Sequence, residues 1–206
     1  MRTEPTVRIS VSPLNFRFSS QFGKVGVMNK VQATIKFAED NLEDLDPFHN
    51  MRHADLTVKF AKIIAEKENA NSELCVIAAL LHDIGRGEEW KKETIEENHG
   101  IDGARKAEPF LSSIKLSKEE IAQVCEAISQ HCFPNTQTNQ IAKILWDADK
   151  LNLFSKEMKQ VYVRCWKEKG WSDGKIAELI KTEREFYFKT FHTEIARKIA
   201  EDNFNI

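Results

Sequence analysis

The chain has 206 residues, 41% of them hydrophobic and 30% charged, with 30 Lys and Arg against 32 Asp and Glu. That length fits one domain with at most a small appendage, and the charge balance excludes nucleic acid or an anionic membrane as the default partner. Many Leu, Ile, Ala, Lys and Glu with few Gly and Pro point to an all-α protein, and no apolar run is long enough to span a bilayer.

Residues 1–27 differ from the rest of the chain: Arg2, Arg8, Arg17 and Lys24 stand against the single acid Glu4, among several Ser and two Pro, with poor helical periodicity. Such a segment reads as an N-terminal extension or a targeting leader, ahead of a domain covering residues 28–206. A chain beginning at Met28 is expected to keep full activity and melting temperature.

From Asn29 onward helix follows helix. The first is predicted from Lys30 to Leu42. Turn chemistry in Asp46-Pro47-Phe48-His49-Asn50 precedes a second from Met51 to Lys67, where His53, Leu56, Phe60 and Ile63 or Ile64 recur at three- and four-residue steps. His53 therefore lies on the core-facing stripe. A third, very apolar helix opens at Ser72, read as its N-cap, and stops at His82-Asp83, with Gly85 and Gly87 turning the backbone. The polar stretch 88–97 reads as a solvated connection. His99 opens the next helix, in which Gly103 and Ala107 leave room beside the imidazole. Ser117-Lys118-Glu119-Glu120 has capping-box spacing, and the helix it opens puts Ile121, Val124, Cys125, Ile128 and then His131 on one face, before Pro134 ends the segment. A helix from Thr138 to Leu153 turns Ile141, Leu145, Ala148 and Asp149 inward, with Asp147 about 160° away around the axis. The remainder reads as two helices broken near residues 170–174, the last one long. Phe186, Tyr187, Phe188 and Phe191 are expected to close the core, and His192 is left structural. Cys75, Cys125, Cys132 and Cys165 show no C-x-x-C spacing, so zinc-ribbon and thioredoxin-like readings are unsupported and free thiols in a reducing compartment are expected.

A helix apolar on all sides sits inside a domain, and ending it with imidazole and carboxylate side by side is expensive unless something pairs them. A metal ion is the obvious partner. In an antiparallel helical hairpin the start of one helix and the end of the next lie at the same end. His53 starts a helix and His82-Asp83 ends the next; His99 starts a helix and His131 ends the next. All are thereby delivered to one end of a bundle, where metal sites are commonly built, whereas Asp149, well inside its helix, does not follow so simply. Imidazole plus carboxylate suits Mn, Fe, Co, Ni or Zn, with Mg only if few His ligate. Four His and two Asp suit two ions bridged by Asp83. Alternatively one ion is held by His53, His82, Asp83 and Asp149, leaving His99 and His131 to bind phosphate or move protons.

His53, His82-Asp83 in LLHDIG and Asp149 in DADKL resemble the signature of the HD superfamily of metal-dependent phosphohydrolases, over about Phe48 to Phe154. The C-terminal FHTEIARKIAED is similar to the last helix of small bacterial members. The resemblance implies a helical bundle of about seven to nine helices, a divalent metal centre, and hydrolysis of a phosphoester or phosphoanhydride in a phosphorylated, nucleotide-like small molecule. The HG-x-x-GA around His99 and A-I-x-x-H ending at His131 resemble branches with two further histidines and two ions, among them diadenosine tetraphosphate hydrolases, cyclic-dinucleotide phosphodiesterases and oxygenases. The GYP motif of the cyclic-dinucleotide enzymes is missing. The layout also resembles small HD pyrophosphohydrolases of nucleoside triphosphates, a resemblance that leaves one ion or two open. On this reading Asp83, His99 and His131 take part in catalysis, Arg86 and Lys150 neutralise phosphate charge, and the protein works in the cytoplasm, as monomer or homodimer. A di-iron oxygenase and a non-catalytic metal-bound sensor are the competing readings.

Overall fold

Polar side chains set where the helices begin. Asn29, Asn50, Asn71, Asn98, Ser117, Asn139, Ser155 and Ser172 each stand in extended backbone, and each side chain accepts a hydrogen bond from a backbone N–H in the first turn of the helix it opens, satisfying donors that have no partner within the helix. The computed structural model describes residues 29–43, 45, 48–89, 98–132 and 135–204. The extension 1–27, the Asp46-Pro47 step, the greater part of the polar connection 88–97 and Pro134 lie outside the described residues.

The elements are α1 (Lys30–Leu42), α2 (Met51–Lys67), α3 (Ser72–Leu81), the single turn α4 (Arg86–Glu89), α5 (His99–Ser113), α6 (Lys118–Gln130), α7 (Gln140–Leu151) with a 3₁₀ turn at Asn152–Phe154, α8 (Lys156–Glu168), α9 (Asp173–Thr190) and α10 (Glu194–Phe204). The fold is all-α; there is no strand among the described residues. α3 is the central rod, with every residue from Leu74 to Leu81 buried. It packs on α1, α2, α6 and α7, while α2 pairs with α3, and α5 with α6, as two helical hairpins. α7 lies across α2, α3 and α6 and is buried almost all round. Phe37 of α1 stacks on Phe110 of α5 at a centroid distance of 4.1 Å.

Several expectations are corrected. Asn71 caps α3 and Ser72 is its first residue, because the amide oxygen of Asn71 reaches the Leu74 N–H at 3.2 Å. The predicted long last helix is two, α9 and α10, parted at Phe191-His192-Thr193. The cause is Asp147, fully buried, whose carboxylate accepts from the backbone N–H of His192 and of Thr193 (2.8 Å each) and from the Thr193 hydroxyl (2.6 Å). Thr193 Oγ1 in turn accepts from the Ala196 N–H and opens α10. Phe191 is buried as expected and Tyr187 and Phe188 partly so, but Phe186 is 40% exposed on the outer face of α9. His192 does have a partner, its Nε2 lying 3.0 Å from Gln137 Oε1.

Glycines set how closely the hairpins approach. A Cβ on Gly85 would lie 2.0 Å from the His99 carbonyl oxygen and 2.5 Å from Gly103 N. The space at Gly103 is therefore taken by the turn after α3, and by Ile128, rather than serving as clearance for the imidazole. Gly87 has open space around it and sits inside α4, so it does not stop α3.

Candidate metal centre

Each hairpin delivers two imidazoles. His53 lies in the first turn of α2 and His82 caps the C-terminus of α3; their Nε2 atoms are 3.0 Å apart. His99 is the first residue of α5 and His131 caps α6; their Nε2 atoms are 3.1 Å apart. The two C-terminal histidines are held alike. His82 Nδ1–H donates to the Ala79 carbonyl at 2.8 Å, and His131 Nδ1–H to the Ile128 carbonyl at 2.6 Å. These carbonyls are ones a helix end leaves unpaired, and spending the Nδ1 proton on them turns the Nε2 lone pair inward.

Asp83 stands between the pairs. Its Oδ2 is 3.1 Å from His82 Nε2 and 3.6 Å from His53 Nε2, while its Oδ1 is 3.5 Å from both His99 and His131 Nε2. Asp149 arrives from α7, its Oδ1 3.1 Å from His53 Nε2 and 3.8 Å from His82 Nε2. The placement of Asp149, which the hairpin geometry left open, comes from α7 lying across α2. Thr57 and Asn152 tie that crossing: Asn152 Nδ2 donates to Thr57 Oγ1 at 2.7 Å, and Thr57 Oγ1 donates to the His53 carbonyl at 3.0 Å.

All six groups are nine-tenths or more buried. Burial disfavours the charge on Asp83, yet His82, Arg86 and the hydrogen bonds from His131 and His82 hold its carboxyl well below the usual range. Asp149 is likewise held down, against burial, by Lys150 and His53. Burial pushes His53 down, and it pushes His99 down to about 2 with help from the neighbouring His131 and Arg86 charges. His131 goes the other way: burial disfavours its charge, but Cys132 and Asp83 beside it push it up to about 10, and a bound cation would take the place of that proton. The site therefore offers ionised carboxylates and, at His53 and His99, neutral imidazoles.

These residues fit a metal. Two bare imidazole nitrogens repel at 3.0 Å unless a proton or cation lies between them. Donors around a tetrahedral ion with bonds of about 2.0–2.1 Å stand about 3.3 Å apart. Among His53, His82, Asp83 and Asp149 the five measured separations run from 3.0 to 3.8 Å.

A cleft opens beside this cluster. His53, Asp83, Arg86, Asp149 and Lys150 form its floor; Phe48, His49, Asn152, Leu153, Met158, Tyr162, Glu183 and Tyr187 form its walls. Arg86 Nε donates to Asp83 Oδ1 at 2.8 Å. Lys150 Nζ lies 2.6 Å from Asp149 Oδ2 and over the rings of Trp146 and Tyr187, at 4.9 and 5.6 Å from their centroids. Arg86 and Lys150 thus both reach the site. His82, His99 and His131 are not among the described residues lining the cleft. The wall residues Tyr162 and Glu183, hydrogen bonded at 2.7 Å, were not singled out from the sequence: on amphipathic helices, nothing in spacing separates a wall from a packing face.

A helical bundle with a buried His/Asp cluster where the ends of two hairpins meet is an architecture able to hold a metal ion. The chain belongs to the HD domain family, which matches residues 51–153, and HD domains bind divalent metals. Over 85% of its length it is similar to a predicted HD superfamily hydrolase from an uncultured Thermotogales bacterium, with 29% identity, 86% of that chain covered and a TM-score of 0.65. YpgQ of Bacillus subtilis shares the fold at 21% identity, with 84% and 87% of the two chains covered and a TM-score of 0.65. A protein of Clostridium beijerinckii of uncharacterised function is 26% identical over 129 residues, 62% of this chain and 76% of that one. No helix among the described residues is long and apolar enough to cross a membrane.

Proposed function

We propose that the protein hydrolyses a phosphoester or phosphoanhydride bond in a nucleotide-like substrate. The observation that carries this is the lining of the cleft: buried His53, Asp83 and Asp149, side chains able to hold a metal, beside the cations Arg86 and Lys150. His53, His82, Asp83 and Asp149 would hold a divalent ion, which would supply a water of near-neutral pKa and polarise a phosphoryl oxygen. Arg86 and Lys150 bind the phosphoryl oxygens and offset the charge that grows on them. Phe48, Tyr162 and Tyr187 supply aromatic surface on which a base can stack. His99 and His131, each 3.5 Å from Asp83 Oδ1, would extend the donor set to a second ion. The YpgQ structure solved in complex with ADP, 20% identical to this chain, supports a nucleotide as the class to try first.

The test is a panel of nucleoside mono-, di- and triphosphates and dinucleotides incubated with Mn, Co, Ni, Mg or Zn, with release of phosphate and pyrophosphate measured. Metal-dependent release is expected. Absence of release across the panel, together with oxygen-dependent turnover of the iron-loaded protein, would replace the hydrolase with the oxygenase.

A further inference from the structure

The two hairpins repeat one construction. In each, a histidine from the start of the first helix meets a histidine capping the second, and the cap donates its Nδ1–H to a carbonyl three residues back. Both caps have right-handed helical backbone, φ −59° and ψ −35° at His82, φ −71° and ψ −13° at His131. The residue after the first cap is Asp83. The residue after the second is Cys132, buried, with its Sγ 3.1 Å from His99 Nε2 and 3.6 Å from His131 Nε2. Asp83 Oδ2 also reaches both histidines of its pair, but nearer the cap, at 3.6 Å from His53 and 3.1 Å from His82.

We infer that Cys132 is a thiolate ligand, and that it forms with His99 and His131 a three-donor metal site suited to zinc, with Asp83 Oδ1 the carboxylate beside it. This rests on the proposal that His99 and His131 hold a second ion. Ligand bonds of about 2.0–2.1 Å to nitrogen and about 2.3 Å to sulfur put N and N about 3.3 Å apart and S and N about 3.6 Å apart in a tetrahedron. The two Nε2 atoms are 3.1 Å apart and Cys132 Sγ lies 3.1 and 3.6 Å from them, with Asp83 Oδ1 3.5 Å from each Nε2. The backbone is cut to fit: a Cβ on Gly100 would come 3.1 Å from Cys132 Sγ and 2.7 Å from the Ile128 carbonyl, so α5 reaches the sulfur only with glycine there. Of these four residues, Asp83 alone is among those lining the cleft. His99, His131 and Cys132 lie back from the cleft, as donors of a structural site do, whereas a catalytic ion keeps an open position toward substrate. Thiolate selects a softer ion than the all-imidazole and carboxylate half. On binding, the thiol proton passes to solvent as the metal–sulfur bond forms.

The probe is Co²⁺, loaded into chelator-stripped full-length protein under reducing, oxygen-free conditions. Two ions per chain and a near-ultraviolet thiolate-to-cobalt charge-transfer band are expected. The band should vanish in Cys132→Ser and in Cys132→Asp, the latter keeping two ions because aspartate ligates without that band. It should persist when Cys75, Cys125 and Cys165 are all changed to Ser. A cobalt-loaded wild type without the band, or a band surviving in Cys132→Ser, overturns the inference and leaves Cys132 an S–H donor to His99. If such a protein still hydrolyses nucleotides, the phosphohydrolase reading stands alone. A protein with the band and no hydrolysis keeps this site and loses that reading.

Discussion

Asp83 is the residue on which both halves of the centre converge. Its two oxygens face different imidazole pairs, and Arg86 holds the oxygen turned toward His99 and His131. Removing a partner outside the coordination shell commonly lowers metal affinity or activity about 10–100-fold, and removing a shared ligand should do more. Asp83→Ala is expected to lose bound metal and to reduce turnover more than about a hundredfold, with helix content by circular dichroism unchanged. An active, metal-free Asp83→Ala protein would refute the site. Lys150 tests the other side of the cleft. Its ammonium is held between Asp149, Trp146 and Tyr187, so Lys150→Met is expected to raise KM for a nucleotide about tenfold, the effect of losing about 1.4 kcal/mol of binding, with metal content by elemental analysis unchanged. An unaltered KM would make Lys150 a packing residue. At this scale the sequence is informative where chemistry repeats at fixed spacing: His53, His82, Asp83, His99, His131 and Asp149 all meet. Cys132 escapes a search for C-x-x-C, although its place after His131 matches that of Asp83 after His82.

Most helices begin and end where side-chain chemistry says they should, because capping is a contact between near neighbours in the chain. The break between α9 and α10 is different. Within residues 186–199 the local signal is Thr193 alone, an N-cap residue type; the stop comes from Asp147, some 45 residues earlier. A local pattern cannot show a terminator that arrives through tertiary contact. Asp147 accepts three hydrogen bonds in full burial, and bonds to a charged group contribute about 1.5–3 kcal/mol each before non-additivity. Asp147→Ala is expected to destabilise the fold by about 3 kcal/mol, read as a fall in the denaturant midpoint at constant slope. A change under about 0.5 kcal/mol would mean that α10 docks without this anchor. Gly85 is a second case in which one atom sets the relation of two elements. Its backbone lies against the start of α5, so Gly85→Ala should push the α5–α6 hairpin away from α3. Binding of the second metal ion should fall in that variant before binding of the first, as titration with Co²⁺ would show; equal loss of both would mean a general disruption of the core.

Across the whole molecule, the donors come from the start of α2, the end of α3, the start of α5, the end of α6 and the last turn of α7. No two of these segments adjoin in the chain, except through the hairpin that joins each pair. The sequence shows why the hairpin termini share an end. It does not show how the second hairpin docks on the first or where α7 crosses, because those relations rest on packing between faces that are apolar in similar ways. Metal binding should therefore act on the fold as a whole. A ligand that binds only the folded chain stabilises it by RT ln(1 + [L]/Kd), about 2.7 kcal/mol at a hundredfold excess over Kd. In a domain of this size each kcal/mol moves the melting temperature by about 2–4 °C. Raising free Zn²⁺ or Mn²⁺ from chelator-buffered absence to a hundredfold over Kd is expected to lift the Tm by about 5–10 °C for each site filled. The rise should be logarithmic in free metal and absent in Asp83→Ala. A wild-type Tm indifferent to metal would mean that the donors meet without an ion to hold. The close approach of imidazole nitrogens would then require shared protons, and the hydrolytic reading would lose its foundation.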